Sequence, residues 1–353
     1  ECNKNLKLID NSNILNDVWK NRPKIKNKKI FLLEEKAYRF NAYDKCVNTI
    51  KSLKYKGNCS VIISALDDIA FLLNARGKDI PCNPVFMAFM MLSKNNNRYE
   101  FSLYINKNKL NKEVKEYLKH HSINIKSYEQ IYEDVKDCKN MIFYDENKTN
   151  YKLYSLMQNK QATILYPTLS KAIKTNVDIK ESKKAHIKDG VAMCKFLYYL
   201  HKNVNTNKLS ELSISNYLEK LRRQQGAIEP SFNTIAGYKE HGAIIHYSAN
   251  KNSNKTIEND GFLLVDSGGQ YLYGTTDITR TIAFNNITST MKKHFTLALK
   301  SHIDLAMAIF NKTTTDAQLD LIARKPLWDN NLDYDFYNPK TDKTIYKNYD
   351  IIS

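Results

Sequence analysis

Two aspartates eleven positions apart, Asp266 and Asp277, flank a glycine-rich reversal in the stretch Gly261-Phe-Leu-Leu-Val-Asp-Ser-Gly-Gly-Gln-Tyr-Leu-Tyr-Gly-Thr-Thr-Asp277. An apolar strand runs into Asp266, Gly268, Gly269 and Gly274 permit a tight turn back, and a second strand leads out through Asp277. Such a hairpin can bring two carboxylates together near the strand ends. Like charges at that range are costly unless a cation neutralises them, and divalent cations take oxygen ligands of this kind. Two carboxylates can also share a pair of metals. The same residues serve as ordinary turn formers, and spacing alone favours that plainer reading. Upstream, Gly242-Ala-Ile-Ile-His246-Tyr247 predicts an apolar strand with a histidine near its end, twenty positions before Asp266. A lone histidine there more often completes local packing than ligates a metal.

The elements that must hold these residues fall into two patterned regions. Residues 1–172 alternate between extended and helical character. Extended runs are expected at 59–64, 84–92, 99–105, 123–125 and 141–144. Helices are expected from a capping-box-like start at Ser64-Ala-Leu-Asp67 to near Gly77, and at 111–120 and 128–135. This alternation predicts an α/β layered domain with helices packed on a mixed sheet. Residues 173–353 begin with a long amphipathic helix carrying Ile187, Val191, Cys194 and Tyr198 as its packing stripe. A second helix carries Ile214, Leu218 and Leu221 and stops near Gly226. The period then turns extended at 242–247, 261–266 and 275–284, and a helix returns at 297–310.

Composition narrows the function classes. Of 353 residues, 42% are hydrophobic and 11% aromatic, enough to build cores for about two domains. The longest apolar run, Val85-Phe-Met-Ala-Phe-Met-Met-Leu92, is too short to cross a bilayer. The net charge of +17 raises nucleic acid as a partner, but only eight of the 54 basic residues are arginine and none clusters with aromatics. The lysines read as a solvated surface, so neither nucleic acid nor membrane is expected. Six cysteines lack any CxxC pair or finger spacing. Cys59 and Cys194 read as small buried hydrophobes, and a reducing, cytoplasmic compartment is the simpler expectation.

Several strings, taken in order, resemble one family. They include Val18-Trp-Lys-Asn-Arg-Pro23, Ser64-Ala-Leu-Asp-Asp-Ile-Ala-Phe-Leu-Leu-Asn-Ala-Arg-Gly77 and Asp79-Ile-Pro-Cys-Asn-Pro-Val-Phe86. Ala185-His-Ile-Lys-Asp-Gly-Val191, Ser231-Phe-Asn-Thr-Ile235, Gly242-Ala-Ile-Ile-His-Tyr247, Val265-Asp-Ser-Gly268 and Gly274-Thr-Thr-Asp-Ile-Thr-Arg-Thr281 follow. The chain resembles the long, three-domain eukaryotic form of Xaa-Pro aminopeptidase (aminopeptidase P), in the pita-bread metallopeptidase group. The resemblance implies an α/β (α+β) fold: a creatinase-N-like mixed-sheet domain over 1–172, then the first part of a pita-bread catalytic domain over 173–353. It implies release of the N-terminal residue from peptides with proline second, by metal-bound hydroxide at a dinuclear site. Asp266 and Asp277 resemble the first two metal ligands, and His246 resembles the histidine that contacts substrate near the scissile bond. The implied cofactors are two divalent cations, manganese ahead of zinc or cobalt. The implied partners are proline-containing peptides and a second copy of the intact protein.

The pattern breaks after Tyr334, where the family continues with a His-Gly-Thr-Gly-His segment and this chain reads Asp335-Phe-Tyr-Asn-Pro-Lys340. The family's later His and two Glu ligands have no counterpart. No Glu follows Glu258, the only later histidines are His294 and His302, and Asp329, Asp333, Asp335, Asp342 and Asp350 are unplaced. The expectation is a chain shortened at both ends: inactive alone, poorly soluble or associating through uncovered faces, and derived from an active parent. The alternative is a catalytically dead pita-bread scaffold that binds peptide or protein, against which the retention of both aspartates argues.

Overall fold

The computed structural model describes residues 18–21, 27–206 and 208–333. The chain divides into two units: Glu1–Leu32, Ala42–Asp79 and Val85–Pro167 in the first, and Leu33–Asn41, Ile80–Pro84 and Thr168–Ser353 in the second.

In the first unit β1 (Phe31–Leu32) precedes α1 (Ala42–Ser52), β2 (Cys59–Ile63), α2 (Leu66–Leu72) and β3 (Ala75–Arg76). Then follow β4 (Ala88–Asn95), β5 (Arg98–Ile105), α3 (Lys112–His120), β6 (Ile123–Lys126), α4 (Gln130–Asp137), β7 (Met141–Tyr144), α5 (Tyr151–Leu156) and β8 (Lys160–Ala162). Six strands form one sheet in the order β6-β5-β4-β2-β7-β8. It is mixed as the alternation predicts: β2–β4 and β4–β5 pair antiparallel, while β5–β6, β2–β7 and β7–β8 pair parallel. The β4–β5 hairpin closes through Asn96 and Asn97, both left-handed (φ 48° and 65°), the pairing of twists that a two-residue loop needs. Asparagine also starts helices here, with the Asn111 and Asn150 side chains accepting from the Val114 and Leu153 amides. Ser64 does not cap α2. Its hydroxyl donates to the Lys148 carbonyl at 2.8 Å, and the helix opens after Ala65.

Lys109 and Asp79 form an ion pair at 2.6 Å with both side chains 2% exposed, and the same Asp79 oxygen accepts the Met87 amide. A buried pair of this kind is costly to break from one side only, because the remaining charge is left without a counter-ion.

α6 (Tyr166–Ala172) starts at the end of the first unit, and the second unit continues with α7 (Asn176–Asn203), β9 (Leu209–Ser210), α8 (Glu211–Gln224), β10 (Glu229–Pro230), β11 (Ile235–Tyr238), β12 (Thr256–Ile257), β13 (Phe262–Ser267), β14 (Gly269–Tyr271), β15 (Gly274–Thr275), β16 (Ile278–Ala283), α9 (Ser289–Met307) and α10 (Asp316–Trp328). Capping boxes at Thr175 and Ser210 start α7 and α8. Met193, Phe196 and Leu200 of α7 join Ile214, Leu218 and Leu221 of α8 in one core with Ala236, Leu263, Val265 and Ile282 of the antiparallel sheet β11-β13-β16. The α8 stripe is therefore the one its spacing predicts.

The α7 stripe is not. Ile187 and Tyr198 are 69% and 67% exposed, and Val191 and Cys194 are exposed as well. The buried face is Ala185, Asp189, Ala192, Met193, Phe196 and Leu200, roughly the opposite side at about 100° per residue. This face carries Met193, Phe196 and Leu200 into the core and takes Asp189 to a buried partner, described below. Leu297, Leu327 and Leu332 pack together, whereas Phe295, Leu299, Ile303, Leu321 and Trp328 of α9 and α10 stay exposed. Among the described residues no helix is long and apolar enough to cross a membrane.

Lys109→Met is expected to lower the stability of the first unit by about 3–5 kcal/mol in urea denaturation, because Asp79 is left in a buried site without its counter-ion. Replacing both partners with apolar residues of matching volume is expected to cost less than the single change.

Candidate metal centre

Asp266 lies on β13, whose residues alternate between the core (Leu263, Val265, Ser267) and the opposite, half-buried face (Phe262, Leu264, Asp266). In the antiparallel register Asp266 faces Thr279 of β16 and Ser267 faces Ile278. Asp277 precedes β16 by one residue, two before Thr279, so it falls on the face of Asp266 and diagonally across from it. The structure thus brings the two aspartates together. Partial burial first, and then the charge and hydrogen bonding of Asp266, push the Asp277 carboxyl above its ordinary value. Asp266 Oδ1 is buried and has no hydrogen-bond partner. A buried acceptor without a donor costs on the order of 1–3 kcal/mol, and a divalent cation supplies the missing positive charge. In this respect the pair fits a metal.

The hairpin holding the pair is built on close approach. A Cβ on Gly268 would lie 1.9 Å from the Thr276 carbonyl oxygen and 2.2 Å from Ser231 Oγ. Ser231 stitches both sides: its amide donates to the Gly268 carbonyl at 3.1 Å and its hydroxyl to the Thr276 carbonyl at 2.8 Å. The Thr276 amide donates to the Gly269 carbonyl at 3.0 Å, and the Gly269 amide donates to Thr276 Oγ1 at 2.9 Å.

Beneath Thr276 sits a polar cluster that local spacing did not reveal. Asp189 accepts a bidentate contact from Arg222, Nε at 2.7 Å and Nη2 at 3.0 Å, with both side chains nearly inaccessible. Its Oδ1 also accepts from Thr276 Oγ1 at 2.8 Å and from the Tyr271 hydroxyl at 3.1 Å. Burial works to raise the Asp189 carboxyl, but the Arg222 hydrogen bonds and charge, with Thr276 and Tyr271, hold it below the usual carboxylate range. Burial and the Asp189 charge push the Tyr271 phenol up. The available signal was one aspartate inside an otherwise small and apolar series, 185, 189, 192, 196 and 200, and one arginine at the end of the α8 stripe.

His246 is not at the end of a strand. The chain leaves β11 into a 3-10 turn, Lys239–Ala243, and His246 follows in a left-handed conformation (φ 54°), exposed. The cause is steric and polar. Gly242 backs directly onto Gly237, where a Cβ would meet the Gly242 nitrogen at 2.7 Å, and the Tyr247 hydroxyl is tied to Glu211 Oε2 at 3.0 Å. Among the described residues no hydrogen bond or ion pair joins His246 to either aspartate. The histidine that is tied in is His241, whose Nδ1 lies 2.8 Å from Glu211 Oε1 and whose ring stacks on Tyr247. Glu211 is fully buried and also accepts the Tyr238 and Lys255 amides, so it fixes the entry and exit of this loop. Asp329 pairs with Lys325 and Asp333 with Arg324, while Asp335, Asp342 and Asp350 lie outside the described residues. Among the described residues no group of three or more His, Cys, Asp or Glu is placed to hold a metal.

Residues 21–178 match the Creatinase/Prolidase N-terminal domain, and residues 180–344 match metallopeptidase family M24. The chain is 34% identical over 343 residues to a probable Xaa-Pro aminopeptidase P of Neurospora crassa, covering 92% of this chain and 49% of that protein. A counterpart from Sordaria macrospora is also 34% identical, with 91% and 55% covered. The chain therefore spans about half the length of the curated relatives it matches. Among solved structures it is similar to an X-prolyl aminopeptidase from Caenorhabditis elegans, described as a cytosolic enzyme with a di-nuclear active site. That match has a TM-score of 0.84 and 27% identity over 90% of this chain and 53% of that one. An Xaa-Pro dipeptidase from Bacillus anthracis shares the fold at a TM-score of 0.62.

Gly268→Ala is expected to cost about 3 kcal/mol, since the nearest atom, the Thr276 carbonyl oxygen, is backbone and cannot step aside, with loss of amide exchange protection at Gly269 and Thr276. Asp277→Asn is expected to raise the melting temperature of the metal-free protein at neutral pH by removing repulsion. Because Asp277 is exposed, the gain stays below about 1 kcal/mol. The sign follows from the raised carboxyl: the native state binds the proton more tightly, so the Asp277 contribution is fully present below pH 3.8 and is lost as pH rises through the raised value. The advantage of the Asn variant should shrink on acidification in thermal melts.

Proposed function

We propose that the chain, whose residues 21–178 match a Creatinase/Prolidase N-terminal domain and whose residues 180–344 match metallopeptidase family M24, is an M24 metallopeptidase and carries the opening half of a metal-dependent aminopeptidase site. The substrates proposed are peptides with proline in second position, from which the N-terminal residue is released. The observation that supports this reading is the Asp266–Asp277 pair, two carboxylates on one sheet face with a buried oxygen lacking any donor.

Asp266 and Asp277 would hold the cations, two in the complete site and manganese ahead of zinc or cobalt. When bound, such cations supply an acidified water and polarise a scissile carbonyl. The residues of this chain contribute geometry. The Gly268 contact fixes the strand reversal, so both carboxylates face one side, and the β13–β16 register keeps them a diagonal apart. His246, exposed on its turn, is assigned a substrate contact. A proline second residue lacks an amide hydrogen and is rigid, so selection rests on the shape of the pocket rather than on a bond to that amide. The domain boundary is placed at 172/173, the compartment as cytoplasmic, and the intact protein as a homodimer.

Two carboxylates alone make a weak, open site, so the chain by itself is expected to bind manganese at about millimolar affinity and to hydrolyse little or nothing. Titration of free manganese by its EPR signal should show uptake that Asp266→Asn and Asp277→Asn each abolish. Uptake unchanged in both variants would refute the site. Release of the first residue of an Xaa-Pro-Pro peptide by this chain at enzymatic rates would refute its being half of one.

A further inference from the structure

We propose that Asp189 and Thr276 are positioning residues for the metal pair: the buried Asp189–Arg222 ion pair clamps the Thr276 hydroxyl and thereby aims Asp277 at Asp266. The inference rests on the reading of Asp266 and Asp277 as metal ligands and extends it to residues that touch neither cation nor substrate.

Every polar group of Thr276 is committed. Its amide bonds to the Gly269 carbonyl, its carbonyl accepts from Ser231, and its hydroxyl donates to Asp189 while accepting the Gly269 amide. Thr276 is buried (1% exposed), whereas Asp277, the next residue, is exposed and is the last before β16. The last anchored residue before the carboxylate is therefore the one held by Asp189. A residue in this position sets the backbone direction from which Asp277 departs, and small rotations there displace its carboxylate from the diagonal with Asp266.

The clamp is anchored on a helix rather than on the hairpin. Asp189 belongs to α7 and Arg222 to α8, and the bidentate fork fixes the carboxylate in plane as well as in distance. One oxygen of Asp189 then serves three donors: Arg222 Nε, Thr276 Oγ1 and the Tyr271 hydroxyl. Tyr271 and Thr276 lie on opposite arms of the small β14–β15 turn, so a single atom of α7 gathers both sides of the reversal between the two aspartates. Residues that orient ligands in this way typically change metal affinity by about 10–100-fold when removed.

The test separates orientation from folding. Asp189→Asn leaves the buried Arg222 charge without its counter-ion and can fail to fold, so the informative pair is Thr276→Val, which keeps shape and loses the hydroxyl, and Thr276→Ser, which keeps the hydroxyl. Manganese binding is read by EPR titration, and thermal melting is recorded alongside. Thr276→Val is expected to weaken manganese binding about tenfold and Thr276→Ser to remain within about twofold of the parent. Parental affinity in a folded Thr276→Val protein overturns the proposal, as does an equal loss in both variants, which would mark a packing role. If Thr276→Val does not fold, parental affinity in Thr276→Ser supports the proposal and a tenfold loss there overturns it. No manganese uptake by the parent chain overturns the metal-site reading, and the positioning role falls with it.

Discussion

Two carboxylates on one face of a hairpin repel each other, and much of the second unit is arranged to keep them in place regardless. The repulsion is local and modest because Asp277 is exposed, but it acts on the most finely cut part of the chain. The restraint comes from three directions. Gly268 allows backbone contact that no side chain would permit, Ser231 ties both arms of the turn, and Asp189 reaches in from α7. The strand register does the rest by placing Asp266 and Asp277 on the same side of the sheet.

The nearness of the two aspartates was legible in the local pattern, although spacing alone favoured an ordinary turn over a metal site. An alternating apolar strand ending at Asp266, glycines that tolerate a sharp reversal, and a second strand beyond Asp277 leave little freedom in where the carboxylates end up. The mixed sheet of the first unit was legible for the same reason, since its strands and helices follow each other with clear changes of period. The α8 stripe also followed from spacing.

What spacing could not reveal was determined at long range. On α7, two nearly opposite faces each carry a helical repeat, and the one without a charge, Ile187, Val191, Cys194 and Tyr198, is the exposed one. The partner of Asp189, Arg222, lies on another helix, and no local rule connects them. The run 242–247 has the composition of a strand, but the Gly237–Gly242 contact bends it away and Glu211 then fastens the loop through Tyr247, His241 and two backbone amides. His246 was thereby carried into an exposed turn. Ser64 has the sequence of a helix cap, yet a carbonyl more than eighty residues away takes its hydroxyl.

Asp189 and Asp277 take up protons at different points on acidification. The arginine-bound carboxylate of Asp189 is held below the ordinary range and Asp277 is raised above it, so falling pH delivers protons to Asp277 while Asp189 is still ionised. Charge leaves the surface of the turn before its foundation loosens. Discharge and recharge of Asp277 can then occur on a backbone that has not moved, with the order of proton uptake written into which aspartate faces the guanidinium.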